Sequence, residues 1–277
     1  MTFSWLESII YAFVAGVTEF LPVSSHAHRS ILRHLFSVDA NTTVLDFLIH
    51  FAVLLAVIFF CQSQLALMNR TRKILSIPAR RRARQPGTEA AAKYKLVTAA
   101  ILPVLIFTAF FQIAHRVADS LNIMAICLLV NGFVIYITSL VRTGNKSASQ
   151  MSRVDGTLLG FISGLGIIPG FSRVGLGLSI SHIRGASGSN ATDWVLLLSI
   201  PALIGLCITD LIVMFTAGAG TFTFMLLMQY LVSAFIAYAG AYLSLILVRH
   251  LAAKVGITWF AFYSWGAALF SFILFML

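Results

Sequence analysis

The sequence has little charge and few acids. Aspartate, glutamate, lysine and arginine make up 10% of its 277 residues, only 9 residues are acidic, and 59% are hydrophobic. A soluble domain cannot bury so large an apolar share, whereas a lipid bilayer accepts it as solvent. The composition therefore excludes an ordinary soluble domain and predicts an integral membrane protein.

Cysteine is scarce as well. Cys61, Cys127 and Cys207 all lie inside apolar runs, so neither a disulfide framework nor a cysteine metal site is expected. No lysine or arginine precedes the first apolar run. A cleavable signal peptide is therefore not expected either.

Basic residues are in excess, but they are unevenly placed. The net charge is +10, and nine of the nineteen lysines and arginines fall between Arg70 and Lys95. Because this cluster is so local, it predicts an orientation signal that contacts anionic lipid headgroups. Membrane lipids are expected partners, and nucleic acid is not.

Six apolar runs approach or exceed the roughly 20 residues that a helix needs to cross a bilayer. They are 44–66, 96–114, 121–141, 194–216, 222–248 and 256–277. Two further apolar segments, 5–36 and 157–183, are interrupted by Pro22 and by Pro169-Gly170. Such interruptions predict pairs of half-helices that enter and leave the membrane on the same side.

The basic loops set the predicted orientation. Lysine and arginine are enriched on the cytoplasmic side, which places loop 67–95, loop 142–156 and the turn with Arg249 and Lys254 inside. Loop 115–120 and both termini then lie on the external, periplasmic face of the cell inner membrane. The first broken segment enters from outside and the second from inside.

That orientation predicts an internal symmetry, and the sequence contains one. A shift of 147 residues superposes Pro22 on Pro169, Ser25 on Ser172 and Asp46 on Asp193 without a gap. We therefore predict an all-α polytopic membrane protein with six transmembrane helices plus two broken re-entrant segments in an inverted-topology repeat. It forms a single domain, 1–277, with repeats at about 1–141 and 157–277 joined by loop 142–156.

The two breaks carry the polar residues. They read "GVTEFLPVSSHAH", residues 16–28, and "GIIPGFSRVGLGLS", residues 166–179. An ionisable group inside a membrane costs about 2.5–3.5 kcal/mol on insertion scales, so it is functional by default. The alternatives are that Glu19 and Arg173 form a structural ion pair, and that Ser24 or Ser25 only caps a helix.

The residue types in the breaks suit a phosphate. Arg173 presents a planar fork that matches phosphoryl oxygens, and glycines 170, 175 and 177 let backbone N–H groups approach an anion. Ser25 lies three residues before His28, which resembles a nucleophile beside a base. Glu19 would hold a divalent cation or act as a general base.

Three further polar residues leave alternatives open. His50, one turn from Asp46, either faces the site or packs in the core. Arg29 and Arg33, at four-residue spacing after His28, either draw an anionic headgroup inward or extend their side chains to the membrane surface.

At these residues the sequence resembles the undecaprenyl-diphosphate phosphatase family of the bacitracin-resistance type. That family carries the motifs E-G-x-T-E-F-L-P-V-S-S-x-x-H and P-G-x-S-R-S-G. Here they read "AGVTEFLPVSSHAH" and "PGFSRVG", and the likeness covers the chain nearly end to end.

The resemblance implies an enzyme that removes the terminal phosphate of undecaprenyl diphosphate, with a divalent cation, usually Mg²⁺ or Ca²⁺. By position, Glu19 matches a motif glutamate and metal ligand, Ser25 the nucleophilic or phosphate-contacting serine, His28 the catalytic histidine and Arg173 the phosphate-binding arginine. The residues expected to contact substrate around them are Ser24, His26, Gly170, Ser172 and Gly175.

The chain departs from the family pattern at the first motif glutamate, which is Ala15 here, and at His26, Ala27 and Val174. Losing one of two acids weakens metal binding or proton transfer. Either His26 compensates as a ligand or base, or the site only binds.

Two functions follow from these observations. The first is a polyprenyl-diphosphate phosphatase at the outer face of the cytoplasmic membrane, which recycles the lipid carrier of cell-envelope synthesis. The second is a carrier that moves a polyprenyl phosphate between leaflets on the same fold. Ala15 favours transport, whereas Ser25, His28 and Arg173 favour hydrolysis. The expected partner is a polyprenyl phosphate or diphosphate lipid, and a homodimer is a further expectation.

Overall fold

The computed structural model describes residues 3–38, 42–81, 85–110, 120–142, 144–217, 223–254 and 257–277, with no account of the side chains of 79, 217 and 252–254. Within these ranges the chain is helical and forms no strand. The helices are α1 (Trp5–Glu19), α2 (Ser25–Leu35), α3 (Thr43–Phe60), α4 (Gln62–Ser76), α5 (Thr88–Ala109), α6 (Leu121–Leu140), α7 (Arg153–Gly164), α8 (Arg173–Ile183), α9 (Gly188–Ala217), α10 (Phe224–Lys254) and α11 (Trp259–Met276).

Six of these helices, α3, α5, α6, α9, α10 and α11, are long and apolar enough to cross a membrane. They confirm the predicted all-α polytopic membrane protein with six spans. The bounds differ in detail, because the predicted run 44–66 is divided at Cys61, where the chain turns into α4. Residues 111–114 of the run 96–114, and residues 222 and 256 at the starts of two other runs, lie outside the described ranges.

Both interrupted segments form pairs of short helices. The longest of the four, α1, has 15 residues. At about 1.5 Å per residue it extends roughly 22 Å, short of the ~30 Å hydrocarbon core. None of the four therefore crosses a membrane alone, and their entry and exit on one side stays a prediction.

Local sequence explains where these helices stop. Pro22 lacks an N–H and disfavours helical backbone at Leu21. Ser24 then takes a positive φ of 65° before α2 begins, and Gly170 has a φ of 100° in the second break. A positive φ of this size favours glycine, which has no Cβ to clash.

The helices pack in matched pairs. α1 packs on α10 as α7 packs on α5, and α3 packs on α10 as α9 packs on α5. α3 also packs on α9, and α6 on α11. An exchange of the two halves would reproduce this pairing. The opposite orientation of the halves in a membrane, and the repeat boundaries 1–141 and 157–277, stay predictions.

The two aspartates that the 147-residue shift superposes occupy similar positions. Asp46 in α3 binds side chains of α1 and α2. Asp193 in α9 accepts from Gln64 at 2.7 Å, from Lys93 at 3.1 Å and from Arg249 at 3.0 Å. Each carboxylate therefore ties the first long helix of its half to neighbouring helices.

The predicted orientation can be tested by labelling single cysteines in intact cells. Gln85 and Ser149 are exposed in loops predicted to be cytoplasmic, and Ser120 is exposed at the external loop, of which residues 115–119 lie outside the described ranges. With the three native cysteines removed, an impermeant maleimide should label Ser120→Cys from outside. Gln85→Cys and Ser149→Cys should react only after permeabilisation. Labelling of Gln85→Cys in intact cells would disprove the orientation.

Candidate functional site

The two helix breaks contact each other through their capping serines. Ser24 Oγ accepts from Ala27 N at 3.4 Å in its own helix and from Gly170 N at 3.2 Å in the other break. Ser172 Oγ accepts from Gly175 N at 3.1 Å and donates to the Leu21 carbonyl at 3.1 Å. Each serine thus caps one half-helix and binds the opposite break.

This arrangement changes one sequence-based correspondence. The 147-residue shift superposes Ser25 on Ser172, but the residues that begin α2 and α8 as caps are Ser24 and Ser172, which are 148 positions apart. Ser25 is instead the first residue of α2, and its hydroxyl donates to the Ala15 carbonyl at 3.2 Å. The serine that caps is therefore Ser24, and Ser25 faces α1.

Asn131 of α6 holds both breaks and was not singled out from the sequence. Its side chain is fully buried. Oδ1 accepts from Ser172 N at 2.9 Å, and Nδ2 donates to Ser264 Oγ at 3.2 Å and lies 3.5 Å from the Pro22 carbonyl. An asparagine in the middle of the apolar run 121–141 was the available sequence indication.

Glu19 and Arg173 form an ion pair across the breaks. Glu19 ends α1, Arg173 begins α8, and Arg173 Nη2 donates to Glu19 Oε1, with 7% and 12% of the two side chains exposed. Arg173 Nε is buried and has no hydrogen-bond partner among the described residues. The structure thus forms the ion pair that was one alternative, and it leaves a guanidinium donor for a ligand.

A small cavity lies beside Arg173. His26 shares its wall with Arg173 and with Gly164 and Gly166 of the second break region. Its volume is about 10 Å³ for the centre of a water molecule, which is room for about one water. A diphosphate therefore enters only if groups around Arg173 move.

His28 lies on a different surface from His26. Its Nδ1 donates to the Ser24 carbonyl at 2.7 Å, its Nε2 accepts from the Tyr263 hydroxyl at 2.7 Å, and the two rings stack at 5.6 Å. His28 and Tyr263 line an apolar groove of about 630 Å³ between α1, α2 and α11. No hydrogen bond among the described residues joins Ser25 to His28, because each has other partners.

The arginines that follow His28 both pair with Asp46. Arg29, 6% exposed, donates from Nη1 to Asp46 Oδ1 at 3.1 Å, and Arg33 donates to Asp46 Oδ2. Asp46 also accepts from the hydroxyls of Tyr11 at 2.7 Å and Thr42 at 2.8 Å. A carboxylate thus binds both guanidinium groups. Arg29 is too buried to extend to a membrane surface, whereas 27% of the Arg33 side chain is exposed, and both alternatives for Arg33 stay predictions.

His50 is a core residue with a charged partner. Its Nδ1 donates to Asp210 Oδ2 at 2.6 Å, and both side chains are at most 5% exposed. Its ring contacts that of His26 edge to face, with centroids 6.2 Å apart. Sequence alone does not pair His50 with Asp210, because the two residues are 160 positions apart.

A resident divalent cation would need several oxygen or nitrogen ligands. Across the described ranges, no group of three or more His, Cys, Asp or Glu side chains is placed to hold a metal ion. Glu19, the predicted ligand, is bound to Arg173, and Ala15 is 1% exposed, with no carboxylate to add. The residues present do not fit a cation held by protein ligands alone, and Mg²⁺ or Ca²⁺ at Glu19 stays a prediction.

Comparisons with known proteins cover nearly the whole chain. The family model described as "Bacitracin resistance protein BacA" matches residues 8–270. A Shouchella clausii protein named "Undecaprenyl-diphosphatase 1" is 31% identical over 98% of this chain and 96% of its own length. Proteins named "Undecaprenyl-diphosphatase" from Desulfatibacillum aliphaticivorans and Carboxydothermus hydrogenoformans are 30% and 28% identical, each over 94% of this chain and over 95% and 93% of their own lengths.

The packing of the second break against α6 predicts that position 170 tolerates only glycine. A Cβ there would lie 2.4 Å from Cys127 Cβ and 2.7 Å from the Met124 carbonyl oxygen, at a φ of +100°. Gly170→Ala should lower the midpoint of thermal unfolding in detergent by about 5–10 °C. Gly266→Ala is the matched control, since nothing lies within 4 Å of its Cβ, and it should shift the midpoint by at most about 2 °C. Equal midpoints for the two variants would contradict the geometry.

Proposed function

The chain belongs to the bacitracin resistance protein BacA family, and we propose that it hydrolyses undecaprenyl diphosphate or a related polyprenyl diphosphate. It is a multi-pass membrane phosphatase of that family. The observation that carries the proposal is the buried Arg173 between two joined helix breaks, with a guanidinium donor that no described residue binds. The relatives named undecaprenyl-diphosphatase support the substrate class.

The phosphate binds where the two half-helix starts meet. α2 begins at Ser25 and α8 at Arg173, and the N-terminus of a helix carries partial positive charge and backbone N–H donors. The Ser24 and Ser172 hydrogen bonds hold these two ends together. The terminal phosphate therefore meets one arginine fork and two converging helix ends.

Glu19 controls access to Arg173. In the closed arrangement, the Glu19 carboxylate accepts the Arg173 hydrogen bond that a phosphate oxygen would take. Phosphate oxygens replace Glu19 on the fork, which releases Glu19 as a base for the attacking water. This exchange also enlarges a cavity that otherwise admits about one water molecule.

The reaction is a hydrolysis at the terminal phosphorus. The oxygen of a water molecule bonds to that phosphorus, the bond to the bridging oxygen breaks, and its electron pair stays on that oxygen. The products are polyprenyl phosphate and inorganic phosphate. Glu19 takes one proton of the water and releases it to solvent, and the inorganic phosphate keeps the other. Ser25 and His28, which the family motif assigns to catalysis, take part only after leaving Ala15 and Tyr263.

The polyprenyl chain lies in the apolar groove between α1, α2 and α11. The groove is lined by Val14 and Val17 of α1, Ile31 and Leu32 of α2, and Phe270 of α11. Its α1 and α2 walls end at the first break, so a lipid tail there brings its diphosphate close to the site. The reaction takes place at the external face of the cell inner membrane, with both termini external. A homodimer is part of this proposal.

Arginine geometry gives a direct test. Arg173→Lys keeps the charge but loses the fork, so phosphate release from undecaprenyl diphosphate by purified protein should fall about 10²-fold or more. Arg153→Lys, an exposed residue in the first turn of α7, should keep the parental rate. A parent that binds the lipid but releases no phosphate, with or without added Mg²⁺ or Ca²⁺, would favour the carrier. Loss of release on adding chelator would place a cation in the reaction.

A further inference from the structure

His26 is the histidine that shares the cavity with Arg173, whereas His28 lines the apolar groove. We infer that His26 is a catalytic residue of the proposed phosphatase and donates a hydrogen bond to the bridging oxygen of the diphosphate. The inference rests on the proposed function, because it needs a diphosphate on Arg173. It assigns His26 a role in the reaction, beyond contact with substrate.

The hydrogen bond from Arg29 decides where the His26 proton lies. Arg29 Nη2 contacts His26 Nδ1. A guanidinium only donates, so Nδ1 must accept. Neutral imidazole then carries its proton on Nε2, which makes that nitrogen the donor of the ring.

Arg29 is itself held in place, so it fixes the ring. Its other terminal nitrogen, Nη1, donates to Asp46 Oδ1 at 3.1 Å, and Asp46 is anchored by Tyr11 and Thr42. Arg29 and Asp46 are 6% and 7% exposed. Asp46 holds Arg29, and Arg29 in turn holds the His26 imidazole in position beside the proposed phosphate site.

A second pair limits the plane of the His26 ring. The edge-to-face contact places the His50 ring 6.2 Å from that of His26, and Asp210 holds His50 Nδ1 at 2.6 Å. Arg29 therefore holds His26 at Nδ1, and the ring of His50 packs against it. His50 cannot rotate without losing its hydrogen bond to the Asp210 carboxylate.

The reaction needs a donor at this place. Arg173 takes two non-bridging oxygens of the terminal phosphate through its fork, and in this inference the donor of His26, in the wall of the same cavity, is assigned to the bridging oxygen. Negative charge grows on that oxygen as its bond to phosphorus breaks. A fixed N–H there stabilises the transition state more than the bound substrate, and His26 keeps its proton throughout.

The test uses steady-state phosphate release from undecaprenyl diphosphate by the full chain in detergent. His26→Leu should lower kcat about 10²-fold with KM within about 3-fold, since the donor acts mainly in the transition state. His26→Gln, which keeps an N–H near Nε2, should recover at least a tenth of the parental kcat. His34→Gln, exposed on the same helix, should match the parent.

The role of Arg29 is tested by a double-mutant cycle. Arg29→Met should lower kcat about 10-fold in the parent but not further in His26→Leu, because Arg29 acts through His26. If the kcat losses of the two single variants multiply in the double variant, the positioning role of Arg29 is overturned. Parental kcat in His26→Leu, or a rise in KM alone, would overturn the inference while leaving the phosphatase intact. If Arg29→Met does not fold, the comparison of His26→Leu with His26→Gln decides. Absence of release from the parent would instead disprove the proposed function.

Discussion

In the interior of a membrane a backbone N–H or carbonyl without a partner costs several kcal/mol, so a helix can break there only where protein supplies the missing partners. Here each break supplies hydrogen-bond partners for the other. Ser24 accepts the N–H of Gly170, and Ser172 donates to the carbonyl of Leu21, while Asn131 binds the second break and lies within reach of the first. Neither break is satisfied without its counterpart. The meeting of two helix starts follows from this requirement.

Buried charged side chains in this protein likewise bind one another. A carboxylate or guanidinium away from water requires a partner close at hand. Glu19 binds Arg173, Asp46 binds Arg29, and Asp210 binds a histidine of α3. These pairs lie around the first break and its partner, where His26 connects the cavity to the Asp46 group. A chain with few acids therefore pairs three of them with arginine or histidine close to the candidate site.

A polyprenyl diphosphate has a charged diphosphate and an apolar chain, and the molecule offers a separate space for each. The polar cavity holds His26 and Arg173, and the apolar groove holds His28 and Tyr263 in its wall. The first break divides these spaces, so neighbouring histidines of one half-helix serve different surfaces. The closed cavity and the Glu19–Arg173 pair belong together, because the arginine cannot bind phosphate fully while the carboxylate occupies its fork. In the proposed function, substrate binding and opening of the cavity are thus one exchange of anions on Arg173.

Much of this protein was determined by its sequence alone. Apolar run length identified six spans, prolines located both breaks, and the residue types around Glu19 and Arg173 predicted a polar site, because these properties depend on neighbours along the chain. The partners of Asp46 and His50 could not be predicted, and neither could the separation of His26 from His28. Side chains two positions apart on a helix point about 200° apart, and only packing against other helices decides what each direction meets. Tertiary structure alone therefore placed one histidine beside the arginine and the other beside a tyrosine.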